Sequence, residues 1–263
     1  MKRHVLGLAL ASLLLLPACN DKKEDPNLPE MIAAKLDEAD AKLREHQDDE
    51  AEVGYKWVLE NEPDNVRALT GLGRIELLER QNPAGAIDPL EKAIAAGGDD
   101  AKAHAALGRA YAGTKKWDEA AEHLGKAWEL DENTEQYALE YGVALRESGK
   151  LDEAAEMLEE VAQINPKIKY VYRELGKTQQ AAGELDKALR TFMKAQSAWQ
   201  GDQDSYAGAA EVYEAQGEIS KAVDQWSFYI QQDCCSTYSK EVAKPKLAEL
   251  KEKENALPND ADG

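Results

Sequence analysis

Few side chains in this chain are spaced for chemistry. The 3 cysteines are Cys19, Cys234 and Cys235, and the adjacent pair leaves three outcomes open: a vicinal disulfide, a bond to another chain, or two thiols. Geometry decides among them, because a disulfide fixes the separation and torsion of its two residues. As a redox couple, Cys234 and Cys235 would give a redox-active or regulatory protein. The 4 histidines are His4, His46, His104 and His123. None is paired at metal-ligand spacing, and no metal or cofactor is expected. His104 falls where a large packing residue belongs on a helix, which predicts a packed or partly buried imidazole. The run Gly71-Leu72-Gly73-Arg74-Ile75-Glu76 begins as a dinucleotide loop does, but it ends in Glu and follows no strand, so it reads as close packing. Acidic runs such as Asp48-Asp49-Glu50 read as solvated helix-end charge. No catalytic residue is assigned, and an enzyme is not expected.

The remaining candidates are cations, which stand out in an acidic chain. Asp and Glu number 51 against 32 Lys and Arg in 263 residues, a formal net charge of -19. Such a surface is repelled by nucleic acid and by anionic headgroups, so no nucleic-acid partner is expected. With 43% apolar and 32% charged residues the chain reads as folded and soluble. Only 2 Phe accompany 10 Tyr and 5 Trp, a composition that favours close-packed helices over sheets.

The elements that position those cations begin after an address. Lys2-Arg3 precede an apolar run from Val5 to Leu16, too short to span a bilayer. The run ends in Leu16-Pro17-Ala18-Cys19, which resembles a bacterial lipobox and implies cleavage before Cys19, with diacylglycerol on its thiol. Pro17 departs from the usual pattern, and plain secretory cleavage is the alternative. Residues 1–19 are read as a lipoprotein signal and 20–31, polar and broken by Pro26 and Pro29, as a flexible tether. Asn20 is not the aspartate associated with inner-membrane retention, so the resemblance implies an outer-membrane anchor facing the periplasm.

A period of 34 organises the rest. Glycine recurs at Gly73, Gly108, Gly142 and Gly176, and again at Gly149, Gly183 and Gly217. Apolar-Asp-x-Ala follows at Trp117-Asp118-Glu119-Ala120, Leu151-Asp152-Glu153-Ala154 and Leu185-Asp186-Lys187-Ala188. Close helix approach explains the first glycines and the alanines. The later glycines suit a left-handed helix end, and Asp118, Asp152 and Asp186 are placed to cap second helices, with Trp117, Leu151 or Leu185 as a hydrophobic staple. These residues resemble the tetratricopeptide repeat. That likeness implies an all-α, right-handed solenoid of six helix–turn–helix repeats over 32–236, with a C-terminal capping helix at 237–257 and a frayed tail at 258–263. The first repeat keeps Ala51, Tyr55, Val58 and Pro63 but lacks the glycines. The second carries an extra residue around Gln81-Asn82-Pro83, and Pro89 should bend its second helix. Val242, Leu247 and Leu250 should face inward from the cap, with Pro245 marking its start or a kink.

In this family, first helices line a concave surface at repeat positions 2, 5 and 9. Carried over, those positions are Arg67, Thr70 and Arg74, then Lys102, Ala105 and Arg109, and in the fifth repeat Tyr170, Arg173 and Lys177. Six of the nine are cationic. The fourth repeat adds Gln136, Leu139, Val143 and Arg146, a partly apolar floor, and the sixth turns acidic at Asp204 and Glu211. Two readings stay open: pairing with neighbouring acids such as Glu140 or Glu174, or a basic trough for an extended acidic segment or a C-terminal carboxylate. No repeat has Asn at position 9, so the clamp of chaperone-binding relatives is not expected. The expected function is a non-enzymatic, lipid-anchored periplasmic scaffold that binds a protein partner through its concave groove and acts in assembly of an envelope complex. Its layout is similar to that of pilotin-type lipoproteins of type IV pili, and its oligomeric state is not written in the repeats.

Overall fold

The computed structural model describes residues 26–97, 100–168 and 170–256. The signal segment with Cys19, the tether as far as Asp25, and the tail from Leu257 lie outside the described residues. Thirteen α-helices and no strand occur among those described. Twelve form antiparallel pairs, one per repeat: α1 (Leu28–Arg44) with α2 (Asp48–Asn61), α3 (Val66–Arg74) with α4 (Pro83–Ala95), and α5 (Ala101–Gly113) with α6 (Trp117–Leu130). The series continues with α7 (Glu135–Glu147) and α8 (Leu151–Ile164), α9 (Val171–Ala181) and α10 (Leu185–Ala198), and α11 (Gln203–Gln216) and α12 (Ile219–Gln232). A π-helical turn, Ser239–Ala243, leads into the cap α13 (Lys244–Ala256). No described helix is long and apolar enough to cross a membrane.

The stack closes because small residues on each first helix receive large ones from its partner. A Cβ on Gly108 would stand 2.7 Å from Leu124, and one on Gly142 the same distance from Leu158. Leu90, Leu124, Leu158 and Phe192 occupy this seat at the 34-residue period and are almost entirely buried. Ala120, Ala154 and Ala188, one turn earlier on the same second helices, are fully buried. The run Gly71-Leu72-Gly73 is repeat packing, with Tyr55 against Gly71 and Leu90 against Gly73.

Each first helix of a pair ends in a left-handed residue. Gly149, Gly183 and Gly217 have φ of +86, +79 and +76, and where glycine is missing His46, Gln81 and Lys115 adopt φ of 57, 51 and 60. The backbone closes each turn with a bond five residues back, such as Lys150 N to Leu145 O at 2.9 Å and Lys116 N to Tyr111 O at 3.0 Å. In the second repeat the bond runs six back, from Asn82 N to Glu76 O at 2.8 Å. The extra residue therefore sits earlier than Gln81-Asn82-Pro83: a π-helical turn, Ile75–Glu79, absorbs it, as single insertions in helices commonly are absorbed. Pro89 lies inside α4, which continues across it.

Three expectations change at helix ends. Second helices start at Trp117, Leu151 and Leu185, so Asp118, Asp152 and Asp186 sit inside the first turn and make no capping bond. The turn after each left-handed residue is too short for another cap position, and these acids act on the helix dipole instead. Trp117 and Leu185 pack on the core as first helical residues rather than as staples ahead of a cap. Side-chain caps occur elsewhere, from Asn65 to Ala68 N at 3.1 Å and from Asp100 to Ala103 N at 2.8 Å. At the start of the stack, α1 begins at Leu28, inside the stretch read as tether, because Leu28 packs on the first core cluster and Pro29 suits a first turn. In the cap, Leu250 is buried and Leu247 packs beside it, Val242 is half-buried, and Pro245 lies in the first turn of α13.

Candidate functional site: a groove along the first helices

Stacking places the first helices side by side, so residues at equivalent positions form rows. Two neighbouring clefts result. The larger, about 650 Å³, collects Arg67, Thr70 and Arg74 from α3 and Lys102 and Arg109 from α5, with Leu77, Leu78 and Tyr137 at its walls. The second, about 250 Å³, has an apolar lining that includes Ala112, Leu139 and Val143, rimmed by Gln136, Tyr170 and Arg173. Arg109 borders both. The sequence-derived positions in repeats two to five thus converge, with three exceptions. Ala105, which is buried, and Arg146 and Lys177 line neither cleft.

Most of these cations are already engaged by the adjoining repeat. Arg67 reaches Asp40 at 2.5 Å and Asp37 at 2.8 Å, while Tyr55 also donates to Asp40 at 2.5 Å. Arg109 grips Glu140 with two bonds, at 2.7 and 3.0 Å. Arg146 bonds Glu174 at 2.6 Å and Glu147 at 2.8 Å. Arg173 bonds Glu174 at 2.8 Å and Asp202 at 3.3 Å, with its guanidinium 3.9 Å from the Tyr170 ring centre. Lys177 stands 3.4 Å from Asp204. Of the two readings left open, pairing with neighbouring acids accounts for Arg67, Arg109, Arg146, Arg173 and Lys177. Arg74 and Lys102, both exposed, make no ion pair among the described residues.

The buried acids respond to their surroundings. Burial pushes the Glu174 carboxyl up, but Lys177, Arg146 and Arg173 together outweigh it and hold the group below its usual range. Asp202 goes the other way: burial raises it more than Arg173 lowers it. Tyr170 adopts φ +73 just ahead of α9, an uncommon conformation for an aromatic residue.

Two features lie outside the groove positions. His104, buried as expected, points its Nδ1 at Nδ1 of His123, 3.0 Å away, and His123 stacks on Tyr111 with ring centres 5.6 Å apart. A bond between two such nitrogens needs one proton between them. Burial, then the charge of His104, lowers the His123 pKa. Spacing along the chain hides this pair, because it joins the two helices of one repeat. Among the described residues no group of three metal ligands forms. Cys234 and Cys235 form a vicinal disulfide in the exposed turn after α12, where Asp233 accepts from the Cys235 and Ser236 amides at 3.2 and 2.9 Å.

Paired helices at a 34-residue period, with first helices lining a groove, define a helical-repeat scaffold of the protein-binding class. Tetratricopeptide-repeat family models match residues 36–101, 77–140 and 145–198. The chain belongs to the tetratricopeptide repeat family. Among solved structures it is similar to MamA, at 27% identity and TM-score 0.60 over 65% of this chain and 93% of that one. It is also similar in fold to PilW, a type IV pilus biogenesis factor, at 20% identity and TM-score 0.66 over 81% of this chain and 98% of PilW. YrrB, described as having an unusual peptide-binding site, matches at 17% identity and TM-score 0.56 over 72% of this chain and 97% of YrrB. No curated protein sequence matches the chain.

Proposed function

We propose that this protein is a lipid-anchored periplasmic scaffold that holds a protein partner in the groove of its first helices and acts by binding rather than turnover. The observation that carries the reading is the pair of adjoining clefts, formed by the positions at which members of this family present side chains. The apolar run ending at Cys19 supports the anchor, and Asn20 directly after it supports the outer-membrane address. A photo-crosslinking residue placed at Thr70 or Gln136, with Met193 and Glu160 as outer-face controls, tests the groove in intact envelopes. Adducts of discrete mass are expected from the groove positions alone; adducts only from the outer face, or none at any position, overturn it. Cys19→Ala should release the protein from membranes, and full retention would refute the anchor.

Within that scaffold class, a pilotin-like role in assembling a type IV pilus or secretion secretin is favoured by the near-complete overlap with PilW. Deleting the gene should then lower secretin multimers in the outer membrane, and unchanged multimers would remove this reading.

A further inference from the structure

The two clefts differ in what they lack. Five cations of the groove have acids from the adjoining repeat in contact, as described above, while Arg74 and Lys102 have none among the described residues. Both open onto the larger cleft, whose lining carries Arg67, Arg74, Lys102 and Arg109 against only Asp40 and Asp100. Asp40 is occupied by Arg67 and Tyr55, and Asp100 by the Ala103 amide. Asp131 is the acid that feels Lys102 through space. Asp37 and Glu140, outside the lining, hold Arg67 and Arg109, so the positive charge left for a ligand is that of Arg74 and Lys102, on a concave wall where its field is focused. Leu78, 54% exposed, stands beside it.

The smaller cleft is short of an apolar side chain. Ala112, Leu124, Leu139, Val143 and Ala144 face into it, and the charged groups at its rim, Arg109 with Glu140 and Arg173 with Glu174, are already paired with each other. A polar ligand group would find little to bond there, whereas an apolar one would leave those pairs intact.

We infer that the groove reads a two-part signal in an extended partner segment: a carboxylate bound by Arg74 and Lys102, and a large apolar side chain seated between α5 and α7, with Arg109 marking the boundary. The inference rests on the groove being the binding surface and adds the chemistry of what it binds. A side chain on alternate residues of an extended chain can serve the two clefts from one face, and the free guanidinium and ammonium supply charge-assisted bonds to the acid.

A randomised peptide library displayed on phage and selected on the purified protein tests this directly. Selected peptides should be enriched in Asp or Glu at one position and in Leu, Ile, Met or Phe at a second position at fixed separation. The double variant Arg74→Gln/Lys102→Gln should lose the acid preference and keep the apolar one, with an acidic selected peptide binding at least tenfold weaker. Val143→Trp, which fills the smaller cleft, should do the reverse, and circular dichroism identifies any variant that has lost its fold. Arg190→Gln, on a second helix, should change neither preference. Recovery of no peptide, of peptides without acids, or of the same peptides by all variants overturns the inference. If groove crosslinks form while the selected peptides carry no acid, this chemistry fails and the scaffold reading stands; if crosslinks form only on the outer face, both fail.

Discussion

Replacing Glu174 by Gln removes one charge and almost no volume, which isolates its electrostatic role. The side chain of Glu174 is 9% exposed and those of Arg146 and Arg173 are 13% and 18% exposed. The substitution therefore leaves two largely buried guanidiniums without their shared acid. Breaking a buried ion pair from one side costs about 3–5 kcal/mol. The low end applies here, because Arg146 keeps Glu147 and Arg173 keeps Asp202 and Asp204. About 3 kcal/mol corresponds to a fall in melting temperature of roughly 6–12 °C for a cooperative unit of this size. Calorimetry measures the fall, and hydrogen exchange should place it in α7 and α9, since repeat stacks can lose cooperativity and unfold in parts. The sign with pH is a second check. The Glu174 carboxyl is held below the usual glutamate range, so its contribution is present above the unfolded chain's pKa and is lost as pH falls through the folded-state pKa. Wild type and variant should converge in acid. A fall of under about 2 °C at neutral pH, or a difference that persists unchanged in acid, would refute the reasoning.

Three further outcomes are expected. Gly208→Ala would drive a methyl into the Phe192 ring; overpacking of about 1–3 kcal/mol less a helix-propensity gain of up to about 1 leaves a net loss in thermal unfolding, whereas Gly201→Ala, with nothing within 4 Å, should lose far less. Lys115→Gly relieves a left-handed lysine at φ 60 and should raise the melting temperature by about 2–4 °C; no rise would show that the turn carries no strain. His123 is held below the usual histidine pKa of about 6.5 by burial and by His104, against Glu122 and Glu91. The unfolded chain therefore takes up the proton first, and stability should be full above about pH 6.5 and decline beneath it. Urea titrations of His123→Gln across that window should show a shallower decline; an unchanged slope would assign it elsewhere.

The period was legible because it is written in residue types that only packing explains: Gly108 under Leu124 and Gly142 under Leu158. Position-by-position reading also found the groove walls, since Arg67, Arg74, Lys102 and Arg109 do share one cleft. The charge that remains in that cleft was harder to read. The ion pairs of Arg67 and Arg109 join residues about one repeat apart, such as Arg109 with Glu140, and a single repeat does not say which acids its neighbour turns inward. The π-helical turn at Ile75–Glu79 left no mark beyond one surplus residue, because widening a helix requires no special side chain. The His104–His123 bond was missed for a related reason: 19 residues separate them, a distance set by the turn between paired helices and by no known motif.

The ion pairs have one more consequence. Glu140 and Glu174 lie 34 residues apart and occupy the same place in successive repeats, and each takes an arginine from the repeat before it. Excising residues 135–168 would bring Glu174 to the position from which Glu140 now grips Arg109. The acid side of the two seams is thus the same, while the arginine reaches it from different places, Arg109 in one repeat and Arg146, in the last turn of its helix, in the next.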